Sequence, residues 1–177
     1  MRTLILITAL LFPMAAFAAG SEDDSPPPPT KTTKTCEKNQ VWSKWRRKCV
    51  DAKESHLGDD TRYGAVRELA YAGRYDDALY VLSAMSDQSE SRVLTYYGFI
   101  YRKTGRMDLG MQYYQAALTA DPDNLLARSY MGQGLVASGK IEKARVQLAE
   151  IEARGGASTW PETSLRRAIQ TGGTYSY

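Results

Sequence analysis

The sequence predicts an all-α fold: a solenoid of three helix pairs, closed by a C-terminal capping helix and preceded by a small disulfide-closed hairpin. A seven-residue pattern beginning with glycine recurs at Gly73, Gly105 and Gly139, with spacings of 32 and 34 residues. A period near 34 is typical of stacked helix pairs. Two cysteines, Cys36 and Cys49, precede the repeats. An apolar helical stripe with its own start and stop signals follows them.

The N-terminus is typical of a cleaved export signal over residues 1–18. Arg2 supplies a positive charge, an apolar run follows at residues 4–12, and Ala-Phe-Ala at 16–18 offers small residues to signal peptidase. The run is about half as long as a membrane-spanning helix. We therefore expect no transmembrane segment in the mature chain, and a periplasmic or secreted location.

Residues 19–35 are predicted to form a Pro-rich disordered spacer, because the prolines at 26–29 favour an extended polyproline II conformation. A basic module follows at residues 36–53. Since both cysteines follow the export signal, an oxidising compartment favours a Cys36–Cys49 disulfide. Closing so short a loop contributes about 3 kcal/mol in the chain-entropy model. The segments around Val41 and Val50 fit a two-strand hairpin held by this bridge.

Positive charge is concentrated in this module. Residues 31–53 carry eight basic and two acidic side chains, whereas residues 54–177 carry 14 basic and 15 acidic ones. The formal net charge of the whole chain, +3, is too small to predict nucleic-acid binding. Tryptophans among cations suit an anionic glycan, peptidoglycan or lipid headgroup; a solvated hairpin whose tryptophans cover the disulfide or dock on the helices is the alternative. The residues expected at such a surface are Lys44, Trp45, Arg46, Arg47 and Lys48.

Residues 59–172 are predicted to form the helical domain. In each repeat, glycine ends a first helix because the turn needs a positive φ. A small residue five positions later, namely Ala78, Gly110 or Ala144, lets the two helices approach closely. The last helix begins at Thr159-Trp160-Pro161-Glu162, a capping-box sequence with proline in the first turn. Glycines at 172 and 173 end this helix, and the tail at 173–177 is expected to be loose.

The repeats resemble those of the tetratricopeptide repeat family over about residues 59–158. The second copy matches the family signature best, and the third copy retains part of it. The matching residues are Leu94, Tyr97, Gly98, Tyr101, Gly110, Tyr114, Ala117 and Pro122 in the second copy, and Gly132, Leu135, Ala144 and Leu148 in the third. The resemblance is to a small exported bacterial member of the family. It implies a right-handed stack of helix pairs whose first helices line a concave groove.

Alignment of the copies by their glycines predicts which side chains point into that groove. They are Tyr63, Arg67, Tyr71, Arg92, Phe99, Arg102, Lys103 and Gln133. Their aromatic and basic character suits an extended or helical partner segment that carries an acidic group. Some family members hold chaperone tails with a clamp of Lys, Asn and Arg. The corresponding places here include Arg67, Tyr96, Leu126 and Tyr130, so the clamp is absent and chaperone-tail binding is not expected.

No residue pattern predicts catalysis, a cofactor or a metal site. His56 is the single histidine, and no second histidine or free cysteine pairs with it. The expected function is therefore a non-enzymatic exported adaptor that holds a protein partner in the groove. The alternative is an envelope-surface binder that uses the basic module. Self-association is a third option, because an incomplete first pair would leave an apolar end to be covered by a second copy.

Overall fold

The computed structural model describes residues 27–174. The predicted export signal, the spacer before Pro27 and the last three residues of the tail lie outside the described residues. Within this range the chain forms eight helices and two strands. These are α1 (Lys31–Thr35), β1 (Gln40–Ser43), β2 (Lys48–Asp51), α2 (Asp59–Tyr71), α3 (Tyr75–Leu82), α4 (Ser91–Lys103), α5 (Met107–Ala120), α6 (Leu125–Ala137), α7 (Ile141–Ala153) and α8 (Trp160–Thr171). The prediction of a mostly helical chain behind a small hairpin is confirmed.

The hairpin forms from the two predicted segments. β1 and β2 are antiparallel, with Val41 opposite Val50 and Trp42 opposite Cys49. The predicted Cys36–Cys49 disulfide is present. Because Cys36 directly follows α1, the bridge joins the end of that helix to β2 rather than one strand to the other.

Helix α1 corrects the prediction of a disordered spacer, which is wrong for residues 30–35. The carboxylate of Glu68 in α2 accepts hydrogen bonds from the backbone N–H of Thr30 and Thr33, at 2.6 and 3.0 Å, and from both of their hydroxyls. Glu68 is only 5% exposed. Composition could not reveal this contact, because the partner lies 35–38 residues further along the chain.

Contacts among the longer helices follow a repeat-like order. They are most extensive within α2–α3, α4–α5 and α6–α7, and α4 also packs against α2 and α6. The predicted close approach is confirmed in the second copy. A Cβ on Gly98 would lie 2.6 Å from the Tyr114 ring, and one on Gly110 would lie 2.9 Å from the Gly98 carbonyl. Helix α8 packs on both α6 and α7. Among the described residues, no helix is both long and apolar enough to cross a bilayer.

The turn after each first helix has the same geometry in all three copies. Gly73, Gly105 and Gly139 have φ of 74°, 83° and 72°. The N–H of the residue after each glycine donates to the carbonyl five residues earlier, at 2.8–2.9 Å. This is the Schellman arrangement, which satisfies helix carbonyls that have no partner within the helix.

The hairpin and the helices share one hydrophobic core. Val41, Val50 and Ala52 are buried in the same cluster as Val66 and Leu69 of α2. Polar contacts reinforce this packing at both ends of the hairpin. Arg62 of α2 donates to the backbone carbonyls of Ala52 and Glu54, both at 2.9 Å, and Arg74 donates to those of Cys36 and Glu37, both at 3.2 Å. The basic module is therefore docked on the first helices and is not an independent appendage.

The start of α8 differs from the predicted capping box. Thr159 precedes the helix and Pro161 lies in its first turn, but no side chain caps the helix N-terminus. The Thr159 hydroxyl instead donates to the carbonyl of Gly156 at 2.6 Å, and Glu162 pairs with Arg166. The helix nevertheless covers the end of the molecule, because Leu165 is buried in a second core formed with α6 and α7.

Candidate functional site

The residues predicted to line a groove are less accessible than an open groove would require. Tyr71, Arg92 and Lys103 are partly exposed, whereas the other five are buried: Tyr63, Arg67, Phe99, Arg102 and Gln133. The buried side chains pack against neighbouring helices or, for Arg67, face the hairpin, which the alignment of the copies did not anticipate. The accessible part of the predicted site is thus confined to α2 and α4.

Five aromatic side chains form a continuous row across α2, α4 and α6, which we call the aromatic row. The ring centres of Tyr63 and Tyr96 lie 5.6 Å apart, those of Tyr96 and Phe99 5.9 Å, and those of Phe99 and Tyr130 4.9 Å. Tyr71 packs on Phe99 at 5.6 Å, and its hydroxyl bonds that of Tyr130. These edge-to-face and tilted contacts fix the relative positions of the three helices.

Arg92 lies at one end of the aromatic row. Its guanidinium stands 4.8 Å from the Tyr63 ring centre and pairs with Asp60 at 2.8 Å and Glu90 at 2.5 Å. Burial alone would lower the pKa of Arg92, but the hydrogen bond that Arg92 donates to Asp60 and the charge of Glu90 outweigh burial and raise this pKa. Arg92 is therefore already ion-paired with two carboxylates of the chain.

At the other end, two cations and three rings form what we call the Arg102 pocket. The Arg102 guanidinium lies 5.7 Å from the Phe99 ring centre and 6.0 Å from that of Tyr130, and its Nε donates to the Tyr114 hydroxyl at 3.3 Å. The Lys103 ammonium lies 5.8 Å from the same Phe99 ring centre. Burial, followed by the charge of Arg102, lowers the pKa of Lys103.

Gln133 and Arg67 do not join this pocket. Gln133 is buried where α6 meets α8, and its amide lies 3.4 Å from the Ser164 hydroxyl. Arg67 lines a cleft of about 630 Å³ between α2 and the hairpin, together with Trp42 and Lys44. The structure thus divides the predicted groove residues among three places.

The basic tip, which we define as residues 44–48, comprises the turn that joins β1 to β2 and the first residue of β2. All five of its side chains are exposed, and Trp45 is 80% exposed. The Arg46 guanidinium lies 5.8 Å from the Trp45 ring centre. The ring centres of His56 and Trp45 lie 5.9 Å apart. Trp42 is half-buried beneath the ammonium of Lys31, at 4.2 Å. Of the two tryptophans in the hairpin, Trp45 is therefore the more accessible to an external ligand.

Tyr130 and Tyr114 belong to the Arg102 pocket but were not among the predicted groove residues. Tyr96 and Tyr130 stand at equivalent positions, nine residues before Gly105 and Gly139 respectively. An aromatic residue repeated at one position was a usable signal for a shared contact. Tyr114 gave no comparable signal for the pocket, because its role there depends on contact with Arg102 from another helix.

Within residues 27–174, no three His, Cys, Asp or Glu side chains gather into a group that could hold a metal ion. No protein-family model, curated protein or solved structure matches this chain.

Proposed function

We propose that this chain is an exported, non-enzymatic adaptor of the tetratricopeptide repeat type. In this proposal the three helix pairs form a right-handed solenoid, and α2 and α4 bind a segment of a partner protein. The equivalent glycine turns and the extensive contacts within α2–α3, α4–α5 and α6–α7 support the repeat interpretation. The disulfide supports an oxidising location, the periplasm or the cell exterior.

The observation that carries the adaptor proposal is the aromatic row with cations at its ends. Tyr71, Arg92 and Lys103 remain partly exposed there, while the rings beneath them are held by contacts among three helices. Aromatic and arginine side chains on a rigid support are typical of the residues that dominate protein interfaces. Because the support is already ordered, little conformational entropy is lost when a partner binds.

A single charge reversal on α4 tests this proposal. We expect Lys103→Glu to reduce partner capture at least about tenfold, which corresponds to about 1.4 kcal/mol of binding free energy. The measurement is a crosslinking pull-down from the exported fraction, with the captured protein quantified by mass spectrometry. The matched control is Lys143→Glu, the same charge change at an exposed position of α7.

Arg67 and Arg102 are unsuitable for this first test. Both are at least nine-tenths buried, so a carboxylate at either position would destabilise the fold. Equal capture by wild type, Lys103→Glu and Tyr71→Ala, with unchanged circular dichroism, would reject the adaptor proposal.

A second candidate function is binding of an anionic envelope component by the basic tip. The specific observation in its favour is that Trp45 is 80% exposed among four basic side chains. Deleting residues 31–53 would remove core residues, so point variants are required. We expect Trp45→Ala with Arg47→Glu to abolish co-sedimentation with peptidoglycan or with vesicles containing anionic lipid. Binding by wild type should weaken as salt rises; salt-independent binding, or binding equal to that of the variant, would reject this candidate.

A further inference from the structure

We propose that the Arg102 pocket binds one carboxylate group, supplied by a C-terminus or by an acidic side chain of the partner segment. This inference rests on the proposed adaptor function, since the carboxylate belongs to the segment that α2 and α4 hold. It adds the chemical group that is recognised and the atoms that recognise it.

The first argument is the bonding of Arg102. This side chain is 6% exposed and has five N–H donors. Its Nε donates to the Tyr114 hydroxyl at 3.3 Å. Its Nη2 is buried, and none of residues 27–174 accepts a hydrogen bond from it. Among the described residues, neither Arg102 nor Lys103 forms an ion pair. Buried guanidiniums are normally paired or fully hydrogen-bonded.

Two other buried arginines of the same chain show what Arg102 lacks. Arg62 is 8% exposed and donates to two backbone carbonyls and to Asp59. Arg128 is also 8% exposed; it donates to a backbone carbonyl and lies 3.7 Å from a carboxylate oxygen of Glu150. Arg102 is buried to a similar degree, but no carbonyl or carboxylate of residues 27–174 pairs with its guanidinium. The difference identifies an acceptor that residues 27–174 do not supply.

The second argument is the charge beside Arg102. The Lys103 ammonium faces the same Phe99 ring, is half-buried, and lies close enough for the two cations to repel each other. An anion between them would remove that repulsion. A guanidinium presents parallel N–H groups that match the two oxygens of a carboxylate, and Phe99 with Tyr130 would exclude water from one side of such a pair.

The test is a titration of the full mature chain with four acetylated tripeptides, followed by NMR of the Arg102 Nε–H and Lys103 side-chain signals. Trialanine with a free C-terminus is compared with its amide, and amidated Ala-Glu-Ala is compared with amidated Ala-Gln-Ala. We expect saturable shifts with at least one carboxylate peptide at millimolar concentration and none with its neutral counterpart. The first pair reports a C-terminal carboxylate and the second an acidic side chain.

Binding should also raise the pKa of Lys103, because a neighbouring carboxylate favours the charged ammonium. We expect Lys103→Gln to weaken peptide binding at least about tenfold, whereas Lys143→Gln leaves it unchanged. Lys103 is half-buried rather than buried, so its variant avoids the folding defect that Arg102→Gln would cause. Circular dichroism checks that both variants are folded.

Three outcomes overturn the inference: no shift with either carboxylate peptide, equal shifts with the neutral peptides, or stronger binding of inorganic phosphate than of any carboxylate. These outcomes can be separated from failure of the adaptor function. If Lys103→Glu abolishes partner capture but the peptides do not bind, carboxylate binding at Arg102 is rejected and the adaptor proposal stands. If the peptides bind but capture is unaffected, the pocket is correct and the adaptor proposal fails.

Discussion

A single buried carboxylate holds the segment around α1 against the helices. Glu68 accepts four hydrogen bonds from Thr30 and Thr33, and hydrogen bonds to a buried charge are stronger than neutral ones. We expect Glu68→Gln to lower the free energy of unfolding by about 1–3 kcal/mol, because the amide cannot accept all four bonds. Urea unfolding measures this loss, and Glu142→Gln, at a position whose side chain is 89% exposed, is the control. Equal stability of the two variants would contradict this role.

Asp59, the first residue of α2, makes the stability of the protein depend on pH. The Ser86 hydroxyl and N–H both donate to its carboxylate, and these bonds, with help from Arg62, lower the pKa of Asp59 below its ordinary value of 3.8. The contribution of Asp59 is therefore complete above about pH 3.8 and is lost as the pH falls through the lowered folded-state value. We expect Asp59→Asn to be less stable than wild type at neutral pH and to converge with it in strong acid. Urea titrations across this range measure the two curves, and a constant difference would contradict the assignment.

Two glycines, Gly64 in α2 and Gly98 in α4, provide a matched test of helix packing. A Cβ on Gly98 would lie 2.6 Å from the Tyr114 ring, whereas one on Gly64 would meet nothing within 4 Å. We expect Gly98→Ala to destabilise the protein by about 1–3 kcal/mol through overpacking. Gly64→Ala should stabilise it by about 0.5–1 kcal/mol, because alanine loses less conformational entropy in a helix. Thermal unfolding measures the change in stability of each variant relative to wild type. A change of the same sign in both variants would reject close packing of α4 against α5.

Local and periodic features of these elements were predictable from the sequence. The glycine turns at 73, 105 and 139 require a positive φ. The two cysteines of an exported chain favoured one disulfide, and the segments around Val41 and Val50 fitted a hairpin beside it. Long-range partners were not predictable. Helix α1 depends on Glu68, a residue in a different element, so composition alone indicated disorder.

The candidate site was predicted only in part, for the same reason. Alignment of the copies by their glycines identified Phe99, Arg102 and Lys103 as residues that point into one groove. The alignment could not show that Arg102 would be buried against the Tyr130 ring of α6, nor that Arg67 would face the hairpin instead. Burial is set by the distance between neighbouring helices, and that distance depends on side chains that lie far apart in the sequence.

Both ends of the stack of long helices are covered by other elements of the chain, and this predicts that the protein is a monomer. The hairpin packs Val41 and Val50 into the core beside α2, and α8 packs Leu165 against α6 and α7. The apolar first end that favoured self-association in the sequence is therefore covered by the chain itself. We expect sedimentation equilibrium at two concentrations about tenfold apart to give the mass of one chain. A mass that rises with concentration would contradict this expectation and indicate an additional interface.

Site-specific photo-crosslinking in the cells that produce the protein tests directly whether a partner binds on α2 and α4. A crosslinking side chain is placed in turn at Tyr71, Lys103, Gln112 and Lys143. We expect positions 71 and 103 to crosslink one common partner protein, and the exposed positions on α5 and α7 to crosslink none. Crosslinks of equal yield at all four positions, or a partner captured only from α5 and α7, would contradict binding on α2 and α4.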